Sequence, residues 1–161
     1  MAILTRDVLD EAALRAKVEA PNCGAITSFS GVVRNHNEGR KVLRIEYEAA
    51  PPTLALLTEL EKKTKEKFPV HQVFIAHRVG TLQVGEASVV IAVSSEHRGE
   101  SFQACRWAID TLKHTIPIWK KEYFEDGESD WVEGCKMHSL NENEEEHSHE
   151  PSGKSLHRHG R

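Results

Sequence analysis

The chain has 161 residues, 39% hydrophobic and 29% charged, ordinary values for a globular protein long enough to bury one core. Its formal net charge of −4 argues against broad electrostatic attraction to nucleic acid, and no apolar run approaches the roughly 18 residues of a membrane span. Three cysteines, Cys23, Cys105 and Cys135, form no CxxC pair and fit neither a disulfide framework nor a thiolate zinc site, so a reducing cytoplasm is the expected compartment.

The first twenty residues lack a basic region followed by an apolar block, so no secretory signal is expected. Residues 7–19 place Val8, Leu9, Leu14 and Val18 near helical spacing, which predicts a short amphipathic helix ended before Pro21. GAITSFSGVVR (24–34) reads as a strand, NHNEGR (35–40) as a turn, and KVLRIEYEA (41–49) as the second arm of a hairpin. Pro51 and Pro52 open a helix over roughly 52–67, with Leu54, Leu57, Leu60 or Glu61, and Thr64 on one face. Residues 70–80 read as a strand, 81–86 as a turn region and 87–95 as a buried strand. From about Gly99, Phe102, Cys105, Ile109, Leu112 and Ile116 recur at helical spacing, and Pro117 should stop that helix near Thr115. From about Cys135 onward the chain is polar, with an acidic run and five of the ten histidines, a composition that buries too little surface to offset its ordering entropy. The expected fold class is α+β, with one domain over 1–134 and a disordered polar tail over 135–161.

Three places hold candidate chemistry. In LKHTIPIWKKE (112–122), Lys113 and Lys120 flank Pro117 and Trp119. A lysine in the last turn of a helix is favoured by the macrodipole by roughly 0.3–1 kcal/mol, and Lys120 is free to lay its stem on the Trp119 indole. Equally, a reversal at Pro117 brings two ammonium groups together, and crowded cations depress the pKa of one, as a lysine acid or base requires. In SSEHRGES (94–101), His97 and Arg98 stand at a helix N-terminus, either a natural anion site or a capped loop. That helix separates them from Lys113 by roughly 20 Å, too far for one small site unless the chain folds back or a second subunit contributes. In VVRNHNEGR (32–40), Arg34, Asn35 and His36 precede a tight turn and offer either an oxyanion site or a polar hairpin tip. Cys105 lies on the apolar stripe and reads as an inert core thiol, and Cys23 has no activating neighbour in sequence. The pairs HSH (147–149) and HRH (157–159) lack a packed shell, so no specific metal site is expected.

Taken in order, GAITSFSGVVRNHNEGR, HRVGTLQVGEASVVIAVSSEHRGESF, LKHTIPIWKKE and WVEG resemble the large, catalytic subunit of molybdopterin synthase over about residues 22–134. The resemblance implies an α/β-hammerhead-like domain with an additional small antiparallel sheet. It implies transfer of sulfur onto cyclic pyranopterin monophosphate, forming the molybdopterin dithiolene of molybdenum cofactor biosynthesis. The donor would be a thiocarboxylate at the C-terminal Gly-Gly of a small ubiquitin-like partner subunit, whose tail enters a pocket of the large subunit. The implied assembly is a homodimer within a heterotetramer, in the cytoplasm, with no cofactor, nucleic acid or membrane involved. Carried over by motif, the pocket arginine falls on Arg34 with Val32 and Val33 beside it. The His-Arg pair falls on His97 and Arg98, and the pocket lysines on Lys113 and Lys120, flanked by Lys121 and Glu122. Lys113 would meet the thiocarboxylate and stabilise charge on the acyl group; Lys120 would act as general acid or base. The chain departs from the pattern after WVE, where Gly134 and Cys135 precede Lys136 in place of a basic residue reaching the partner's site. Two other readings stand beside it: a module that uses the same residues only to dock a carrier's C-terminus, and a sulfurtransferase working through a Cys135 persulfide.

Overall fold

The computed structural model describes residues 2–133. In chain order the elements are β1 (Ile3–Thr5), α1 (Glu11–Ala16), β2 (Ala25–Val32), β3 (His36–Asn37), β4 (Arg40–Ala49) and α2 (Thr53–Lys67). They continue with β5 (Gln72–Arg78), β6 (Gly80–Gln83), β7 (Ala87–Ser95), α3 (Arg98–Thr115), β8 (Ile118–Phe124) and β9 (Ser129–Glu133). Among these residues no helix is long and apolar enough to cross a membrane.

Two sheets organise the α+β fold. The first has the order β1-β5-β7-β2, parallel at β1–β5 and antiparallel elsewhere. Strand β7 is buried from Ser88 to Ser95 because both faces of this sheet are covered. Alternation sends Val73, Ile75, Val89, Ile91 and Val93 toward α2 and α3, where they pack with Leu57, Leu60, Ala104, Ala108 and Leu112. The intervening Phe74, Ala76, Val90 and Ala92 face the other way and meet Leu14 and Val18 of the α1 segment. The second sheet is antiparallel, ordered β3-β4-β8-β9, with β6 on the edge of β4 that β8 leaves open. Val33, Val42, Ile45, Leu82 and Phe124 form its own small core.

Several local expectations hold. The helices near 52–67 and 99–115, the strands at 24–34, 41–49 and 87–95, and the stop at Pro117 all recur with shifts of a few residues. The hairpin pairing does not. β2 and β4 lie in different sheets: β2 pairs with β7, while β4 pairs with β3, β6 and β8. The register slips between Gly31 and Val32, and the chain crosses from one sheet to the other through Val33 and Arg34. The turn at Glu38–Gly39, both at positive φ, closes only the short β3–β4 hairpin. Residues 81–86, read as a turn, hold most of β6 instead, which begins at Gly80 (φ 91°) as the chain leaves β5. The expected small additional sheet has five strands, one more than the first. Phe102, assigned to the core stripe, is 61% exposed. At that end of α3 the face toward the sheet is carried by Ser101, fully buried and 2.8 Å from the Thr27 hydroxyl. The proposed tail falls outside the described residues.

Arg78 ties the two sheets to the N-terminal strand. Its Nε donates to the Arg6 carbonyl, its guanidinium pairs with Glu86, and Glu86 in turn accepts the Gln83 N–H at 2.8 Å. Arg78 is 8% exposed, so removing it leaves a half-enclosed carboxylate without its cation. Replacing Arg78 with Met should cost about 3 kcal/mol, read as a lower urea midpoint at unchanged slope.

Candidate active site

Helix α3 and strand β8 meet at a turn that proline enforces. Ile116 leaves the helix at φ −92°, ψ 126°, and its N–H still bonds to the Leu112 carbonyl. The chain then runs into β8, where alternation puts Ile118, Lys120, Glu122 and Phe124 on the inward face and Trp119, Lys121 and Tyr123 on the other. Across the ladder Lys120 stands opposite Tyr47, and Glu122 opposite Ile45. Lys113, in the last turn of α3, faces the same space.

That space is one cleft with two chambers. A cavity of about 220 Å³ is walled by Ile109, Leu112, Ile116 and Ile118, with Tyr47, His77 and Ser88 as its polar members. A second, of about 260 Å³, is lined by Val32, Arg34, His36, Asn37 and Glu122. Tyr47, Ser88, Val89, Lys113 and Lys120 border both, so the two lysines stand at the junction.

The charges are unevenly compensated. Glu122 is buried, accepts the Asn37 side-chain N–H at 2.8 Å and lies 3.5 Å from the Lys120 ammonium. No carboxylate pairs with Lys113 among the described ion pairs. Lys113 is solvent-accessible, yet partial withdrawal from water and then the Lys120 charge lower its pKa. Burial raises the pKa of the Tyr47 hydroxyl, partly offset by the Ser88 hydroxyl. Beneath them His77 is buried, edge-on to Tyr47 with ring centroids 5.6 Å apart. Its Nδ1 lies 2.7 Å from the Arg78 carbonyl, and burial pushes its pKa down to about 4.

Of the expected site residues, Val32, Arg34, Lys113, Lys120 and Glu122 come together in this cleft, as does His36. Val33 does not line it: its side chain is buried in the core of the second sheet, while its backbone bonds Glu86 and Gly85. Lys121 points to the opposite face of β8, its ammonium 5.4 Å from the ring centres of both Tyr123 and Trp131. His97 and Arg98 are exposed at the far end of α3, beside depressions that include Asn22, His71, Glu96 and Glu100. Fifteen helical positions separate Arg98 from Lys113, about 22 Å along the axis. Cys105 is buried with its thiol pushed up to about 11, as an inert core thiol should be. Gly134, Cys135, Lys136 and both His pairs lie outside the described residues. Among the described residues no cluster of three or more His, Cys, Asp or Glu is placed to hold a metal ion.

Tyr47, His77, Ser88 and Asn37 are cleft residues that the sequence reading left out. His77 carried a signal: it follows the apolar run VFIA in a strand, where a polar ring must find a partner or a cavity.

Two measurements check these electrostatics. Removing the Lys120 charge relieves the repulsion on Lys113, so Lys120→Gln should raise the Lys113 pKa. Acetic anhydride should then label Lys113 more slowly at pH 8, as followed by peptide mass spectrometry. For His77 the folded pKa of about 4 lies below the 6.5 of a free imidazole, so the unfolded chain binds the proton first. Stability from the neutral ring is present above pH 6.5 and is lost as the pH falls toward 4, with about 2 kcal/mol gone between pH 7 and pH 5. His77→Gln should remove that part of the pH dependence in paired urea titrations.

The family described as MoaE protein matches residues 4–115. A protein of Nostoc sp. (strain PCC 7120 / SAG 25.82 / UTEX 2576) named molybdopterin synthase catalytic subunit is 48% identical over 111 residues, 68% of this chain and 67% of that one. A protein of the same name from Bacillus subtilis (strain 168) is 42% identical over 130 residues, 80% of this chain and 82% of its own. The crystal structure of molybdopterin synthase from Staphylococcus aureus superposes with a TM-score of 0.76 at 36% identity, covering 81% of this chain and 95% of that one. With the match spanning most of the described residues, Arg34 and Lys113 among them, the chain belongs to the MoaE protein family.

Proposed function

We propose that this chain is a sulfur-transferring catalytic subunit that converts cyclic pyranopterin monophosphate to molybdopterin. The observation that carries the reading is the convergence of Lys113, Lys120 and Arg34 on one cleft of an acidic protein. Both reactants are anions, a phosphate on the pterin and a thiocarboxylate on the carrier, and each needs a cation where it binds. The relatives are named as catalytic subunits, a name that presupposes a further subunit. A small ubiquitin-like carrier with a C-terminal Gly-Gly thiocarboxylate fits that place.

In this mechanism the carrier's tail enters between α3 and β8 and its terminus meets Lys113. The ammonium orients the thiocarboxylate and stabilises charge on the acyl group during transfer. The thiocarboxylate sulfur bonds to a side-chain carbon of the pterin as that carbon's bond to oxygen breaks and the departing oxygen takes up a proton. Water then attacks the acyl carbon, the acyl C–S bond breaks, the sulfur stays on the pterin and the carrier leaves as a carboxylate. Lys120, paired with Glu122, exchanges the proton with substrate as general acid or base, a role worth about 10²–10⁴ in rate. Arg34 and His36 line the chamber suited to the pterin and its phosphate. His97 and Arg98 would join from a second copy, since within one chain α3 holds them about 22 Å from Lys113. A homodimer within a heterotetramer supplies that second copy, and residues 1–134 act as one catalytic domain in the cytoplasm.

Single-turnover molybdopterin formation tests the reading, using full-length chain, thiocarboxylated carrier and the cyclic pterin. Wild type and Cys135→Ser should give product at similar rates, and Lys120→Ala should fall by about 10²-fold or more while still binding the carrier. No product from any form despite tight carrier binding would leave a docking module. Loss confined to Cys135→Ser would route the sulfur through a persulfide instead.

A further inference from the structure

The apolar chamber ends on a polar atom of fixed character. His77 Nδ1 lies 2.7 Å from the Arg78 carbonyl, which only accepts, so the ring proton sits on Nδ1 and Nε2 carries a lone pair. Nε2 has no partner among the described hydrogen bonds, and it is not among the sealed, unsatisfied side-chain atoms, which are Ser94 Oγ and Glu100 Oε2. It therefore opens toward the cavity that His77 lines. The Ser88 hydroxyl, also on the chamber wall, donates to the Gly31 carbonyl at 3.2 Å. Around these atoms the wall is Val89, Ile109, Leu112, Ile116 and Ile118. The chamber thus offers cations at its junction, where Lys113 and Lys120 stand, and a fixed acceptor within.

A fitting occupant carries a negative end and, a short distance behind it, an N–H donor with little side-chain bulk. An extended peptide terminus ending in glycines has both. Resting on the function proposed above, we propose that His77 Nε2 accepts the N–H of the amide joining the last two glycines of the carrier's tail, making His77 a specificity-determining residue for tail insertion. The neutral ring suits this role, because burial lowers its pKa to about 4 and leaves it unprotonated near neutral pH. A backbone N–H entering this apolar chamber without that acceptor stays unsatisfied, a cost that disfavours occupants whose donor falls elsewhere.

The test measures carrier affinity by calorimetry with the full chain and three forms of the carrier subunit. These are an intact Gly-Gly carboxylate terminus, a terminus with an ester in place of the last amide, and one lacking both glycines. For wild type the ester should bind about 3- to 10-fold more weakly than the amide. His77→Phe should lose affinity for the amide form and bind ester and amide alike, while His77→Gln, whose side-chain oxygen accepts, should regain part of the preference. Wild type binding ester and amide equally, while still losing affinity for the truncated carrier, would overturn the role of His77 and leave tail insertion standing. Equal binding of all three forms would overturn tail insertion itself, and the proposal with it. The wild-type comparison decides the matter even if substitutions at this buried position impair folding.

Discussion

The Pro117 carbonyl accepts the Ala50 N–H at 3.1 Å and the Thr53 hydroxyl at 3.3 Å, and on this junction the rest of the site depends. It fastens the turn between α3 and β8 to the place where β4 gives way to α2. Proline has already forbidden Ile116 a helical backbone, so the chain must turn, and the two bonds determine where it goes. β8 then runs antiparallel to β4 in the register that sets Lys120 opposite Tyr47. A lysine on a helix end and another on a strand seven positions later reach one cleft, which a continuous helix would not arrange with Glu122 and Tyr47 beside them.

The cleft separates its charges by burial. Glu122 is almost wholly enclosed, and its carboxylate is met by the Asn37 amide at 2.8 Å and the Lys120 ammonium at 3.5 Å. Lys113 has no such counter-ion among the described pairs, stands against an apolar wall and feels the Lys120 charge. The two lysines are therefore chemically unlike although they share a cavity. One is partnered and set in a ladder, and the other has no carboxylate beside it among the described pairs and a pKa lowered by partial withdrawal from water and by the Lys120 charge.

Much of the fold was legible in local pattern. Strand β7, with its uninterrupted ASVVIAVSS, and the apolar spacing from Cys105 to Leu112 reported burial directly. The pairing of strands was not legible. GAITSFSGVVR and KVLRIEYEA look like the arms of a hairpin because a turn of Asn and Gly joins them. The slip at Gly31/Val32 nevertheless sends them to different sheets, and no residue between them announces it. Phe102 misled for a related reason, since periodicity gives the spacing of a stripe but not which stripe the sheet will cover. Tyr47 passed as one more apolar strand residue, and His77 and Ser88 as strand ends, because a cavity belongs to several distant elements at once.

The sequence by itself determined the helices and the longer strands β2, β4, β5 and β7, the break at Pro117, the cationic residues available for a site and the family resemblance they carry. These are properties of neighbouring residues: backbone sterics, side-chain periodicity and charge. Tertiary structure alone decided that Lys113, Lys120 and Arg34 share a cleft while Lys121 turns away and His97 and Arg98 lie at the other end of α3. It alone placed a buried, neutral His77 beneath that cleft. The reason is physical: register and burial depend on contacts between residues far apart in the chain, and those contacts are selected by the packing of the whole core rather than by any segment's own preference.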